Sequence, residues 1–335
     1  MRSFRATTAL TLSVALGVVA PAATLASELE VVESFDAAAE HLPEGLAIAQ
    51  DGTYYLTMGN PFFWEPGDGW VKQLGTDGST ETLAHFEMGQ GPAGIVVADD
   101  GTVYFARANP MDEAARGVWR LGADGVAERL PGTEALFIAN GLALDGGDHL
   151  YASDSATGTI WRIHLDHAEA PEPWFSDPAT LGGCAEDDVG VNGIALTDDG
   201  MYAATTMRGT LVHIPMLEDG SAGEALIVAG DGTSCEPDQF FGLDGIALAE
   251  DGDVYALLVL QHQLVRIDPD DGSLEVLLTA DDGLFNPSSL TFGTIEGDRD
   301  GLYIVNYAVL PPEPEASVGP ALLRYDAGVE GRPLP

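Results

Sequence analysis

The sequence predicts an all-β protein, a six-bladed β-propeller with four antiparallel strands in each blade. Three observations lead to this prediction: one short phrase recurs six times, most copies precede an Asp-Gly turn, and no helical periodicity lies between them. Repeats of about 40 to 50 residues with four short strands each are typical of propeller blades. We therefore expect one ring-shaped domain over 27–335. A β-helix or two separate domains are the alternatives.

The recurring phrase consists of a variable first residue, a glycine, an apolar residue, a small residue and another apolar residue. Its copies begin at Glu44, Ala93, Asn140, Asn192 and Asp244, and a sixth, weaker copy begins at Ser288. These first residues lie 44 to 52 positions apart, so the repeat is close to 50 residues long. We expect each phrase to form the innermost strand of one blade, beside the central tunnel.

Turns and further strands follow each phrase. Asp-Gly pairs, as at 51–52 and 251–252, predict a hairpin between the first and second strands. In the fifth repeat, the remaining strands are predicted at 254–258, 264–268 and 274–278. Each repeat therefore has the strands of a complete blade.

The first strand of the chain has no blade of its own. Residues 29–33 precede the first phrase and have the alternation of a strand, whereas the last repeat has a predicted third strand at 321–325 and no fourth. We expect 29–33 to supply the outer strand of the last blade, so that both ends of the chain close the ring.

The N-terminus has the pattern of a secretory signal peptide over 1–26. Arg2 and Arg5 precede an apolar run over 6–20, and small residues lead to a cleavage point near Ala26. This run is shorter than the roughly 20 apolar residues that span a bilayer. We expect a periplasmic or secreted protein that does not enter the membrane.

Charge limits the possible partners. The chain has 13 Lys and Arg against 54 Asp and Glu, a formal net charge of −41. Nucleic acid and anionic membrane surfaces repel such a protein. We expect neither as a partner, but a small-molecule substrate and a monomeric state. Most carboxylates are interpreted as a solvated surface, as in proteins adapted to high salt.

Cys184 and Cys235 are the only cysteines. A pair of cysteines in an exported protein is a disulfide candidate. The two precede the phrases at Asn192 and Asp244 by eight and nine residues, which places them in neighbouring loops. We expect a stabilising disulfide; two unpaired thiols are the alternative.

The first residues of the phrases form a ring around the tunnel, and four of the six are oxygen donors. These are Glu44, Asn140, Asn192 and Asp244. Calcium prefers carboxylate and amide oxygens, and the absence of His and Cys from the ring argues against zinc and copper. Any one of the four alone has the alternative role of strand-start cap or turn former. Two converging carboxylates, however, would repel without a cation between them.

Three of the phrases carry a family resemblance: Pro43-Glu44-Gly45-Leu46-Ala47, Ala139-Asn140-Gly141-Leu142-Ala143 and Leu243-Asp244-Gly245-Ile246-Ala247. They resemble the senescence marker protein (regucalcin) and gluconolactonase superfamily, whose relatives include diisopropylfluorophosphatase and the paraoxonases. The resemblance spans all six repeats. It implies one catalytic Ca²⁺ bound by Glu44, Asn140, Asn192 and Asp244. It also implies that Asp244 is catalytic, as a base toward water or as a nucleophile.

The sequence departs from these relatives at two places. Ala93 stands where the paraoxonases have a histidine, so their histidine-centred lactonase chemistry is not expected here. Gly45 and Ala247 lie next to the ring, so no acidic neighbour supports a second, structural calcium ion.

The resemblance implies an exported calcium-dependent hydrolase of a small lactone, ester or phosphotriester, with the ion at the tunnel mouth. A non-catalytic propeller that binds a ligand or partner and uses the metal structurally is the alternative. Candidate substrate-binding residues are Ser288, Phe137, Phe241, Phe285 and Trp64. Aromatic side chains at the rim would favour an apolar or aromatic substrate. Loops that pack on one another, and a plain strand start at Ser288, are the alternatives.

Overall fold

The computed structural model describes residues 29–39, 41–59, 67–87, 92–122, 125–166, 169–185, 188–232, 235–310 and 312–333. Within these ranges the chain forms 24 β-strands, one short α-helix, α1 (Pro178–Leu181), and three single-turn 3-10 helices at Ala37–Ala39, Thr133–Ala135 and Ala280–Asp282. The strands form six four-stranded antiparallel sheets. This confirms the predicted six-bladed propeller. The predicted signal peptide and Trp64 lie outside the described residues.

The first three blades follow the chain from the inside of the ring outward. Blade 1 consists of β2 (Pro43–Ile48), β3 (Tyr54–Gly59), β4 (Gly69–Leu74) and β5 (Thr80–Phe86). Blade 2 consists of β6 (Pro92–Val97), β7 (Val103–Arg107), β8 (Gly117–Leu121) and β9 (Ala127–Arg129). Blade 3 consists of β10 (Ala139–Leu144), β11 (His149–Asp154), β12 (Thr159–His164) and β13 (Glu172–Ser176).

The next two blades have the same order. Blade 4 consists of β14 (Val191–Leu196), β15 (Gly200–Thr205), β16 (Thr210–Pro215) and β17 (Leu226–Ala229). Blade 5 consists of β18 (Leu243–Leu248), β19 (Val254–Leu258), β20 (Gln263–Asp268) and β21 (Ser273–Leu278). Each recurring phrase therefore forms an innermost strand, as predicted.

Blade 6 contains both ends of the chain. Its inner strands are β22 (Pro287–Phe292), β23 (Gly301–Asn306) and β24 (Ala321–Asp326), and its outer strand is β1 (Leu29–Ser34). Glu30 pairs with Arg324 across β1 and β24. This confirms the predicted closure, in which hydrogen bonds between the two ends of the chain complete the ring.

The core lies between neighbouring blades. Between blades 6 and 1, for example, Leu46 and Ile48 pack with Tyr303, Val305 and Leu322. Similar apolar clusters fill the other junctions. Since burial of apolar surface contributes about 25 cal/mol per Å², the stacking of blades on one another stabilises the ring.

A row of polar side chains crosses the sheets away from the tunnel mouth. Each second strand has a tyrosine opposite the fourth residue of the phrase: Tyr55, Tyr104, Tyr151, Tyr202, Tyr255 and Tyr303. In four blades an arginine follows on the third strand: Arg120, Arg162, Arg266 and Arg324. Each of these arginines forms an ion pair with a carboxylate. We call these arrangements the Tyr-Arg rows.

The disulfide prediction is confirmed. Cys184 and Cys235 are bonded, with their Cα atoms 5.8 Å apart, and the bond joins the loops that precede β14 and β18. The two innermost strands that follow these loops are neighbours in the ring. The described residues contain no helix of sufficient length and apolar character to cross a bilayer.

Candidate metal and active site

The first residue of each phrase lies at an irregularity in its sheet. In blade 3, Ala139 pairs with Asp154, but the pairing shifts before it resumes at Leu142 with Ala152. The other five blades show a register shift at the same place. A shift of this kind redirects a side chain out of the regular alternation of a strand. We call the six residues at these shifts the anchors: Glu44, Ala93, Asn140, Asn192, Asp244 and Ser288.

The glycine of the phrase brings neighbouring anchors close together. A Cβ atom on Gly45 would lie 2.5 Å from the carbonyl oxygen of Ala93, and one on Gly245 would lie 2.6 Å from that of Ser288. The glycines at 94, 141 and 193 have the same close neighbour in the next blade. Only a residue without a Cβ permits this approach.

The sixth junction lacks the glycine and is closed by a hydrogen bond. Ser289 replaces glycine there, and the Ser288 hydroxyl donates to the carbonyl oxygen of Glu44 over 2.8 Å. The anchors therefore follow one another around the ring, with Ser288 between the two acidic anchors.

Glu44 and Asp244 are the two acidic anchors, and the charge of Glu44 acts on the carboxyl group of Asp244. Burial raises the pKa of Glu44 to about 8. Burial, and then the charge of Glu44, raises the pKa of Asp244 well above its ordinary value. Oε2 of Glu44 is buried without a hydrogen-bond partner among the described residues. The two carboxyl groups are therefore poorly solvated, and no positive charge among the described residues lowers the pKa of either one.

The two asparagine anchors present amide oxygens to the same ring. Nδ2 of Asn140 donates to Oγ of Ser155 over 3.2 Å. That hydroxyl donates its only proton to the carbonyl oxygen of Val191 over 2.6 Å, so it accepts from the amide. Nδ2 of Asn192 likewise contacts Oγ1 of Thr206 at 3.2 Å. Both amide nitrogens are thus engaged, and both Oδ1 atoms are left without a hydrogen bond in the described part of the chain.

This donor set suits calcium. It offers two carboxylates and two amide carbonyl oxygens from four blades, and calcium is bound by oxygens of these kinds. One carboxylate oxygen is also unsatisfied. Within the described ranges no three His, Cys, Asp or Glu side chains form a metal-binding group, because half of the predicted set is asparagine. The residues present fit a hard divalent cation better than zinc.

The residues predicted to bind substrate lie in different environments. Phe137 is 44% exposed, and the guanidinium of Arg116 lies 4.2 Å from its ring centre. Phe241 is half-buried. Phe285 is only 5% exposed and packs against His262. The Ser288 hydroxyl, as described, is engaged with the backbone of Glu44.

A second ring of residues lies beside the anchors and was not predicted from the sequence. Ser155, Thr206 and Tyr307 each directly follow the second strand of their blade, at the end that faces the tunnel mouth. Ser155 and Thr206 orient the two asparagines. Tyr307 is buried, and both Glu44 and Asp244 raise its pKa after the larger effect of burial. The phenol therefore lies near both acidic anchors.

Comparison with known proteins supports the fold. No protein-family model matches the sequence, and no curated protein matches it significantly. Among solved structures, a calcium-binding protein, regucalcin, from Agrobacterium tumefaciens has a TM-score of 0.61 at 16% identity, over 88% of this chain and 93% of that one. A luciferin-regenerating enzyme has a TM-score of 0.62 at 14% identity, over 91% and 97%. Virginiamycin B lyase from Staphylococcus aureus has a TM-score of 0.52 at 13% identity, over 86% and 89%. At such identities the likeness shows the propeller fold alone.

Proposed function

We propose that the protein is an exported calcium-dependent hydrolase that cleaves a small lactone, ester or phosphotriester at the mouth of its tunnel. The observation that carries this proposal is the pair of buried carboxyl groups of Glu44 and Asp244, on which no positive charge from the described part of the chain acts. An isolated buried charge costs several kcal/mol, so such groups are neutralised or bind a cation. A calcium-binding regucalcin among the structural neighbours is in line with this metal.

Four anchors would bind the ion: Glu44, Asn140, Asn192 and Asp244. Bound calcium supplies Lewis-acid polarisation of the substrate's C=O or P=O oxygen and the positive charge that keeps neighbouring carboxylates ionised. Without a cation, burial favours the protonated form of Asp244, which is not a base. In its ionised form, Asp244 either takes a proton from the attacking water or attacks the substrate itself.

The setting supports export and a small substrate. A disulfide links Cys184 and Cys235, as is common in proteins outside the cytosol. Acting as a monomer, the protein would admit its substrate along the rim near Phe137, whose exposed ring favours an apolar or aromatic group. The net charge of −41 disfavours nucleic acid and anionic membranes as partners.

The test is a screen of lactones, esters and phosphotriesters with the mature protein, before and after chelation. Asp244→Asn removes one carboxylate with little change of volume. Asp253→Asn, at the turn between β18 and β19 on the opposite side of blade 5, is the matched control. We expect activity that needs calcium, falls at least about 1,000-fold in Asp244→Asn and is unchanged in Asp253→Asn.

Two outcomes would contradict the proposal in different ways. Activity that survives both chelation and Asp244→Asn would show that the metal-centred mechanism is wrong. Calcium binding without turnover of any compound would favour the non-catalytic ligand-binding propeller.

A further inference from the structure

Tyr307 lies at the position of blade 6 that corresponds to Ser155 in blade 3 and Thr206 in blade 4, where the residue contacts the anchor. Across the sheet, Ala139 pairs with Asp154, and Val191 pairs with Thr205. The next residues, Ser155 and Thr206, each contact the asparagine anchor of their blade. Tyr307 follows Asn306, the partner of Pro287, in the same way. Its side chain therefore starts beside Ser288, and a phenol reaches farther toward the tunnel axis than a serine or threonine hydroxyl does.

This position lies between the two acidic anchors. Ser288 donates to the backbone of Glu44 on one side, and its carbonyl oxygen packs against Gly245, next to Asp244, on the other. Burial, and then the charges of Glu44 and Asp244, raise the pKa of the Tyr307 phenol. The ring is only 8% exposed. Tyr307 thus places a protonated phenol beside the two charged ligands of the proposed metal site.

The hydrogen bonds that fix this corner do not use the phenol hydroxyl, and this hydroxyl is not one of the fully enclosed polar atoms that lack a partner among the described residues. Phenylalanine would fill the same space without a donor, so packing of the ring does not require the hydroxyl. Buried tyrosine hydroxyls usually have a partner. A role in packing alone therefore explains the ring of Tyr307 but not its hydroxyl.

The backbone around Tyr307 is strained. Three non-glycine residues in the described ranges have positive φ: His262 (57°), Asn286 (45°) and Ala308 (58°). All three lie around Tyr307. The carbonyl oxygen of Asn286 accepts from the backbone N–H of Tyr307, and the N–H of Asn286 donates to Nδ1 of His262. The N–H of Ala308 donates to the carbonyl oxygen of Phe285. Such conformations cost about 1 to 3 kcal/mol each and concentrate at functional sites.

The side chain of Asn286 fixes this corner. Its Nδ2 donates to the carbonyl oxygen of Val259 over 3.0 Å, and its Oδ1 accepts from the backbone of Leu310 over 2.9 Å. Loops of blades 5 and 6 are thereby joined around the segment that carries Tyr307. The surrounding backbone holds this segment in place, so the phenol hydroxyl has a defined position.

We propose that Tyr307 is a further catalytic residue, whose phenol donates a hydrogen bond to a substrate oxygen beside Asp244. This inference rests on the proposed hydrolase function. The phenol remains protonated throughout and transfers no proton. Its contribution is to orient the substrate next to Asp244 and to stabilise charge that develops on the substrate oxygen during attack.

The test compares Tyr307→Phe with Tyr202→Phe, the second-strand tyrosine of blade 4, which pairs with His213 away from the anchors. For Tyr307→Phe we expect kcat/KM to fall roughly 10- to 100-fold, as for loss of a hydrogen bond to a charged oxygen. Calorimetry should show that its calcium affinity stays within about threefold of wild type, while the affinity for the hydrolysis product of the best substrate falls. Tyr202→Phe should match the wild type in each measurement.

The outcomes separate this inference from the proposed function. If the wild type is an active calcium enzyme and Tyr307→Phe matches it in kcat/KM and product affinity, the role of Tyr307 is wrong and the hydrolase proposal stands. If Tyr307→Phe loses calcium affinity or thermal stability in proportion to its activity, the residue is structural. If the wild type neither binds calcium nor turns over any compound, both proposals fail.

Discussion

Carboxylates occur in two contrasting settings in this molecule, the Tyr-Arg rows and the ring of anchors. In the rows, each acidic group has an arginine: Glu275 pairs with Arg266 over 2.6 Å, and Asp298 with Arg324 over 2.9 Å. At the anchors, Glu44 and Asp244 are more deeply buried and only repel each other. Within the described ranges, carboxylates therefore have an arginine counterion in the Tyr-Arg rows and no counterion at the anchors.

This contrast distinguishes structural from functional acids in a chain with 54 of them. An exposed pair of charges contributes about 0 to 1 kcal/mol and is satisfied within the fold. A buried pair of like charges is destabilising unless something from outside compensates it. The proposed external cation therefore belongs at the anchors, whereas the rows require none.

The largest expected effect is on calcium affinity. Glu44→Gln removes one of two ligand charges, so we expect the dissociation constant for calcium to rise at least about 100-fold. Glu275→Gln, in a Tyr-Arg row, is the matched control and should leave calcium affinity unchanged. Isothermal titration calorimetry measures both. Equal affinity in the two variants would remove the distinction between the two settings.

The next prediction concerns the metal-free protein. The pKa of Glu44 is about 8 when folded and has an ordinary value of 4.5, so the folded state binds more protons between these values. Stability of the chelated protein should therefore fall as pH rises from about 5 to about 8. Thermal melts across this range test the sign. The slope should flatten with saturating calcium and become shallower in Glu44→Gln, where the raised pKa of Asp244 still contributes; an unchanged slope under both conditions would assign it to other groups.

A smaller effect is expected at the junctions between anchors. Gly245→Ala would place a Cβ 2.6 Å from the carbonyl oxygen of Ser288, which should destabilise the fold by about 1 to 3 kcal/mol. Gly147→Ala, where the nearest atom would be 3.4 Å away, should change stability by less than about 0.5 kcal/mol. Denaturant unfolding measures the difference. Equal stabilities would show that the ring tolerates wider spacing of the blades.

The smallest effect is expected in the Tyr-Arg rows. Arg266→Gln removes an exposed ion pair with Glu275, so we expect a loss of at most about 1 kcal/mol, reduced further by salt. Calcium affinity should not change. A loss of several kcal/mol would show that the rows contribute to the ring far more than exposed ion pairs usually do.

Much of the fold could be predicted because the repeat is strong. The second strand of blade 5 was predicted at 254–258, which is the extent of β19, and closure by 29–33 corresponds to β1. The anchors also came from the repeat, since each is the first residue of a phrase. Their common metal remains a prediction that rests on residue chemistry and on the electrostatics of Glu44 and Asp244.

Other parts of the site depend on tertiary packing. Ser155 and Thr206 lie fifteen and fourteen residues after their anchors, but Tyr307 lies nineteen after Ser288. A longer connection between β22 and β23 causes this difference, so the repeat did not reveal the equivalence. The burial of Phe285 likewise depends on His262 from another blade. Neither fact can be read from a local pattern.

The position of β1 in blade 6 has a consequence for how the molecule assembles. This strand is synthesised before every other strand of the ring, yet the first residue of its partner β24, Ala321, follows Ser34 by 287 positions. Closing a loop of almost the whole chain is entropically costly and slow. Blades 1 to 5 can form in order, but a nascent chain presents an unfinished edge until its final strands arrive. Truncation near residue 320 should therefore leave an open, aggregation-prone arc, because neither β1 nor the inner strands of blade 6 would have β24 to pair with.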